Sequence, residues 1–187
     1  MFGNLINNRQ LKKLMDSKII EIEPFDKKEL STAHLTLHVG KVFKRLDDGT
    51  VKTIHDFSEN ENPYTMKGNE YVIVEIYEMI KLNDENIVGH FVPVSNLIQE
   101  GLSLVAGKID KKFGNLGPST GNKVEMLRFG LKNNNSESFQ LTKKHRIAHL
   151  ELFDLRGVSS EKAELSNEEK VRIAQRWIRD SDDGVRY

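Results

Sequence analysis

Apolar and polar residues alternate with a period of two over much of the chain, the signature of strands with one buried face. Ile20 and Ile22 alternate with Glu21 and Glu23, and Pro24, which has no backbone donor, ends the run. Leu35, Leu37 and Val39 repeat the pattern, and Gly40 after them permits a bend. Tyr71-Val-Ile-Val-Glu-Ile-Tyr77 is the densest β-branched and aromatic run. Strands are also predicted over Ile87–Val94, bent near Pro93, and over Val124–Leu131, Phe139–Leu141 and Arg146–Phe153. Between Asp47 and Asn69 the chain is polar and broken by Gly49, Pro63 and Gly68, which predicts turns and a long loop. Asn133-Asn-Asn-Ser136 reads as another turn.

Two segments follow a helical period instead. Leu5, Leu11, Leu14 and Met15, with Lys12 and Lys13 opposite, predict a short N-terminal helix. Near the other end, Ser166 and Glu169 form a capping box, followed by an apolar stripe of Val171, Ala174, Trp177 and Ile178. The expectation is a mainly β domain over residues 1–157, a sandwich, jelly roll or barrel, and a helical extension over 158–187.

Composition narrows the chemistry. The 187 residues carry 28 Lys plus Arg against 28 Asp plus Glu, and this zero net charge argues against nucleic acid or a membrane surface as partner. With no cysteine, disulfides, thiolate nucleophiles and Cys-based zinc sites are excluded. No apolar run is long enough to span a bilayer or form a signal peptide, so the cytoplasm is the expected location. The glycine-rich stretch 114–122 lacks the Lys-Ser/Thr ending of a phosphate loop. His34/His38 and His145/His149 are each four residues apart, but in strands, where that spacing covers about 13 Å and no single metal can bridge a pair. No metal site is expected from them.

Four segments, in order, resemble the dCTP deaminase/dUTPase family. The first is Ile20-Glu-Ile-Glu-Pro-Phe-Asp26 followed by Leu30-Ser-Thr-Ala-His-Leu-Thr-Leu-His-Val-Gly40. The second, Ile87-Val-Gly-His-Phe-Val-Pro-Val-Ser-Asn-Leu-Ile-Gln-Glu-Gly-Leu102, is similar to V-G-R-x-x-G-R-S-S-L-A-R-x-G-L. The third, Ala106-Gly-Lys-Ile-Asp-Lys-Lys-Phe113, is similar to A-G-x-I-D-x-x-Y/W, and the fourth, His145-Arg-Ile-Ala-His-Leu150, to x-R-I-A-Q-L. Together they cover roughly residues 5–155. The resemblance implies a distorted jelly-roll or β-clip barrel, a homotrimer, and deoxynucleoside triphosphate sites at subunit interfaces. Mg²⁺ would arrive with the triphosphate, held by phosphate oxygens and water. Zinc is not implied, and the zinc-deaminase signature requires cysteine.

By the same resemblance, Ser95, Asn96, Lys108, Ile109, Asp110, Phe113, Arg146 and His149 are the expected nucleotide contacts. Asp110 stands where the dUTPase branch keeps its water-activating carboxylate, and Phe113 where that branch stacks an aromatic ring on the deoxyribose. The deaminase positions depart from the pattern. Arginine-serine-serine becomes Val94-Ser95-Asn96, and Gly130 stands at the strand glutamate that serves as general base. Glu125 is an alternative base, but it lies five residues from Gly130 and faces the opposite side of a regular strand unless a bulge intervenes. The first-motif aspartate is Thr36, and the glycine-rich phosphate lid is missing. Three readings stay open: a dCTP deaminase/dUTPase-like trimer that binds a deoxynucleoside triphosphate at a remodelled site, a catalytically inactive nucleotide-sensing or trimeric interaction module, and a dUTPase-type nucleotide hydrolase working through Asp110. Plain readings stand beside the site ones: Asp110 as a turn cap, Ser95 and Asn96 capping a helical turn, and Arg146 as a strand-surface cation.

Overall fold

The structure, a computed structural model, describes residues 4–111 and 127–156. Phe113, Glu125, the glycine-rich stretch 114–122 and the expected helix from Ser166 onward lie outside the described residues. Among the described residues no helix is long and apolar enough to cross a membrane.

Helix α1 (Asn8–Asp16) starts where Asn7 caps it. The Asn7 side chain accepts from the Arg9 and Gln10 amides, each at 3.0 Å, and the Gln10 side chain accepts from the Asn7 amide at 3.0 Å. This reciprocal cap satisfies donors that the first turn leaves open. It also corrects the expected start at Leu5. Asn4–Leu5 are a short strand, β1, which pairs with the chain's last described strand.

Strand β2 (Ile20–Glu23) pairs with β7 (Met79–Leu82) in a separate two-stranded ribbon, with Ile20 and Ile22 buried as their alternation requires. Strand β3 runs from Leu35 to Arg45, well past Gly40. The expected bend takes the form of a register shift between Val39 and Lys41 against β6 (Tyr71–Ile76). A Cβ on Gly40 would lie 3.0 Å from the Tyr77 Cα and 3.1 Å from the Ile76 carbonyl, so the close approach of these backbones leaves little room for a side chain.

The expected loop from Asp47 to Asn69 holds two strands, β4 (Val51–Asp56) and β5 (Tyr64–Met66). Among the described residues β4 pairs with β3 alone and is exposed over most of its length, so it has no buried face to leave an alternation in the sequence. The others are β8 (Ile87–Pro93), β9 (Leu102–Val105), β10 (Lys108–Ile109), β11 (Arg128–Asn133), β12 (Phe139–Leu141) and β13 (Arg146–Asp154). A five-residue helix, α2 (Ser95–Gln99), follows β8.

The main sheet has the order β10-β8-β13-β3-β6-β11-β9, antiparallel throughout, with β1 and β4 paired off that path. Its inner face builds one core from Leu35, Leu37, Val74, Ile109, Leu131, Ile147 and Leu150 among others. The two-residue strand β10 is anchored there. Ile109 is fully buried opposite Gly89, and a Cβ on Gly89 would come within 2.6 Å of the Ile109 Cγ2 atom.

Candidate functional site

Directly paired residues in a sheet point to the same face. Ile109, Gly89 and Leu152 face the core in one row, so the next row faces outward: Lys108, His90 and Glu151. The row beyond holds Val92, His149 and Thr36. The outer face of β10-β8-β13-β3 therefore brings together residues from all four segments singled out in the sequence. Separations of more than one hundred residues collapse into neighbouring strands.

Thr36 and His149 sit side by side, with Oγ1 3.3 Å from Nδ1, and the His34 ring lies 4.0 Å from the His149 ring. Burial first, then the neighbouring His34, hold the His149 imidazole below its ordinary range. A neutral imidazole has one nitrogen that accepts, and the Thr36 hydroxyl can donate to it. The two histidine pairs that looked unrelated in sequence thus meet across strands.

Next to this row lies a charged network. His38, paired in register with Arg146, is buried, and its Nδ1 lies 2.6 Å from the Glu78 carboxylate. The His38 amide donates to the other Glu78 oxygen at 3.0 Å. The His38 Nε2 atom is 3.7 Å from Glu29, and Glu29 accepts from the Arg146 guanidinium at 2.7 Å. Arg146 is therefore more than a surface cation: it closes a chain from Glu78 through His38 and Glu29. Glu29, His38 and Glu78 of this network line a cleft of about 340 Å³, with Asp26, Thr36, Tyr77 and Lys144 also on its wall. Three carboxylates (Asp26, Glu29 and Glu78), one histidine and one lysine give this cleft hydrogen-bonding groups of both kinds.

The second segment is placed differently from the expectation. Ser95 and Asn96 are the first residues of α2 and both are exposed, while Val94 precedes the helix with no side-chain cap. Neither Ser95 nor Asn96 caps that helix. Val94 is buried at 5% exposure and belongs to the core cluster. The Val94 amide donates to the Ile147 carbonyl at 3.3 Å, so α2 begins beside Arg146.

In the third segment Lys108 is exposed and Ile109 is not. Ile109 contributes packing and holds its neighbours at the sheet edge, so its side chain is not presented to a ligand. Asp110 follows β10, half-buried, and is not a free carboxylate. Gly130 on β11 pairs with Val105 of β9, two residues before Gly107. Sequence reasoning missed Glu29, Glu78 and Tyr77. Glu78 carried a legible signal, a lone carboxylate between the apolar runs of β6 and β7. Glu29 carried none, because its partners come from β3 and β13.

Segments that converge on one face of a curled antiparallel sheet define a protein whose site is built by strand pairing. The family model for dCTP deaminase-like proteins matches residues 5–155, and the chain belongs to that family. It is 27% identical over 181 residues to the dCTP deaminase, dUMP-forming, of Nanoarchaeum equitans, covering 82% of this chain and 86% of that protein. The 2'-deoxycytidine 5'-triphosphate deaminase of Agrobacterium tumefaciens has the same fold, with a TM-score of 0.56 and 11% identity. That alignment covers 82% of this chain and 49% of the Agrobacterium chain, so this protein spans about half of that length. The fold class expected from the sequence, mainly β and of the dCTP deaminase/dUTPase kind, holds.

Proposed function

We propose that the chain binds a pyrimidine deoxynucleoside triphosphate, in a homotrimer whose sites lie between subunits, and that it does not deaminate through residue 130. The observation that carries this reading is the convergence of Thr36, Lys108, Arg146 and His149 on one outer sheet face. Lys108, Arg146 and Lys144 supply positive charge for phosphates, and Ser95 and Asn96 lie exposed on α2, which begins beside Ile147. A general base must reach the water it activates, and glycine at 130 has no proton to take or give. The lost arginine at 94 removes a second contribution, since a missing charge-stabilising donor costs about a hundredfold or more.

Mg²⁺ would enter with the nucleotide. Among the described residues no three His, Asp or Glu side chains converge as a metal cage, so a bound Mg²⁺ would rest on phosphate oxygens and water. Asp110 is the carboxylate on the third segment that could orient such a complex or activate a water.

A second reading is favoured by the Nanoarchaeum relative, whose name describes a deaminase that forms dUMP. By likeness, Asp110 would serve as base for release of diphosphate while the deamination step is impaired. Incubation of the full-length chain with dCTP or dUTP and Mg²⁺, with products separated by chromatography, distinguishes the two. Binding without turnover is the expected result. Formation of dUMP from dUTP that Asp110→Asn abolishes would establish the hydrolase reading, and dUTP formed from dCTP would overturn the proposed loss of deamination.

A further inference from the structure

Tyr71 stands at the start of β6, exposed over half its surface (49%), on the outer face of the sheet. It pairs with Lys132, and Gly130 is the next residue of β11 on the same face. A Cβ on Gly130 would sit 2.1 Å from the Tyr71 hydroxyl oxygen and 2.7 Å from Cζ. The phenol end of Tyr71 thus occupies the place of a residue-130 side chain. An aromatic ring laid over a strand glycine covers backbone that glycine leaves bare. That accounts for the fit of the pair but leaves the ring's outward face unused.

The surroundings give that outer face a setting. Gly130 pairs with Val105, which is 60% exposed, and Gly107 follows two residues later with nothing within 4 Å of its Cβ position. Lys108 and Asp110 continue from there. An exposed ring, an exposed valine and an open glycine form an apolar shelf that leads to the charged residues of the third segment. A heteroaromatic base has the matching chemistry: one π-face for the ring and polar edges for the groups beyond.

We propose that Tyr71 is a binding residue for the pyrimidine base, its ring a stacking platform that takes the place of a residue-130 side chain. This inference rests on the nucleotide-binding reading above. It makes the site select for an aromatic base without a carboxylate at position 130. Gly130 then has a specific reason to be glycine, because any larger residue would push the ring off its seat.

The test titrates the full-length chain, with Mg²⁺, against dCTP, dUTP and inorganic tripolyphosphate by calorimetry. Tyr71→Ala is expected to weaken dCTP and dUTP binding about tenfold or more, the size of a lost base–ring stack. Tyr71→Phe keeps the ring and is expected to bind within about threefold of wild type. Tripolyphosphate, which has no base, should bind Tyr71→Ala as it binds wild type. Unchanged nucleotide affinity in Tyr71→Ala overturns the role of the ring while leaving nucleotide binding in place. Equal losses for nucleotide and tripolyphosphate also overturn it, because the ring would then only support the sheet. A wild-type chain that binds none of the three overturns both this inference and the reading beneath it.

Discussion

Replacing Ile109 tests how the third segment is held. Its side chain is fully buried on a strand of two residues, and among the described residues that strand pairs with β8 alone. Truncating a buried isoleucine to alanine loses its transfer energy and leaves a cavity, a cost of about 2–5 kcal/mol. Gly89 is the seat of that side chain. A Cβ there would lie 2.6 Å from Ile109 Cγ2, 2.9 Å from Leu150 Cδ1 and 3.0 Å from Leu152 Cδ2. Gly89→Ala therefore overpacks the core, at about 1–3 kcal/mol. The closest clash is with an atom that Ile109→Ala removes, so the two changes are coupled. In the double variant the added methyl enters the space vacated at 109, and the combined cost should fall short of the sum by about 0.5–3 kcal/mol. Urea unfolding of the four proteins measures this, with an unchanged m-value required for a clean comparison. Lys108→Ala, at an exposed position on the same strand, should stay within about 0.5 kcal/mol of wild type. An Ile109→Ala cost below about 1 kcal/mol, or strictly additive effects, would refute Ile109 as the anchor of the segment.

Two further outcomes are expected. Glu78→Ala strips the carboxylate from buried His38 and from its amide, and should cost about 1–3 kcal/mol in the same unfolding assay, with Glu78→Gln milder because one acceptor remains. His149 is held below its ordinary range, so the unfolded chain binds protons first as pH falls; stability should decline from neutral pH into the mildly acid range, and His149→Gln should flatten that slope in melts across pH.

The sequence made the buried strands legible because each has one face in the core. Ile20 and Ile22, Val72 and Val74, and Leu150 and Leu152 alternate with partly or fully exposed residues or lie in dense β-branched runs. It hid β4 because a strand exposed along most of its length has no apolar face to alternate. It placed the start of α1 early because Leu5 continues an apolar spacing, while the local chemistry of Asn7 and Gln10 sets the boundary. At the site, the four segments were legible as pieces, and Lys108, Arg146 and His149 fall on or beside one face. The partners that shape that face were not. Glu29 reaches Arg146 and His38 over separations that only strand pairing determines, and Tyr71 meets Gly130 through a diagonal contact across β6 and β11. Ile109 was read as a contact because it stands inside a motif, yet alternation next to Lys108 already implies that one of the two faces inward.

Calorimetric titration of the full-length chain with dUTP and with dCTP in Mg²⁺ is the direct test that this family member holds a pyrimidine deoxynucleoside triphosphate. Saturable binding is expected, approaching one nucleotide per chain and weakening in Arg146→Ala and Asp110→Ala variants that still fold. Flat titrations with both nucleotides, in a chain that melts cooperatively, would contradict it.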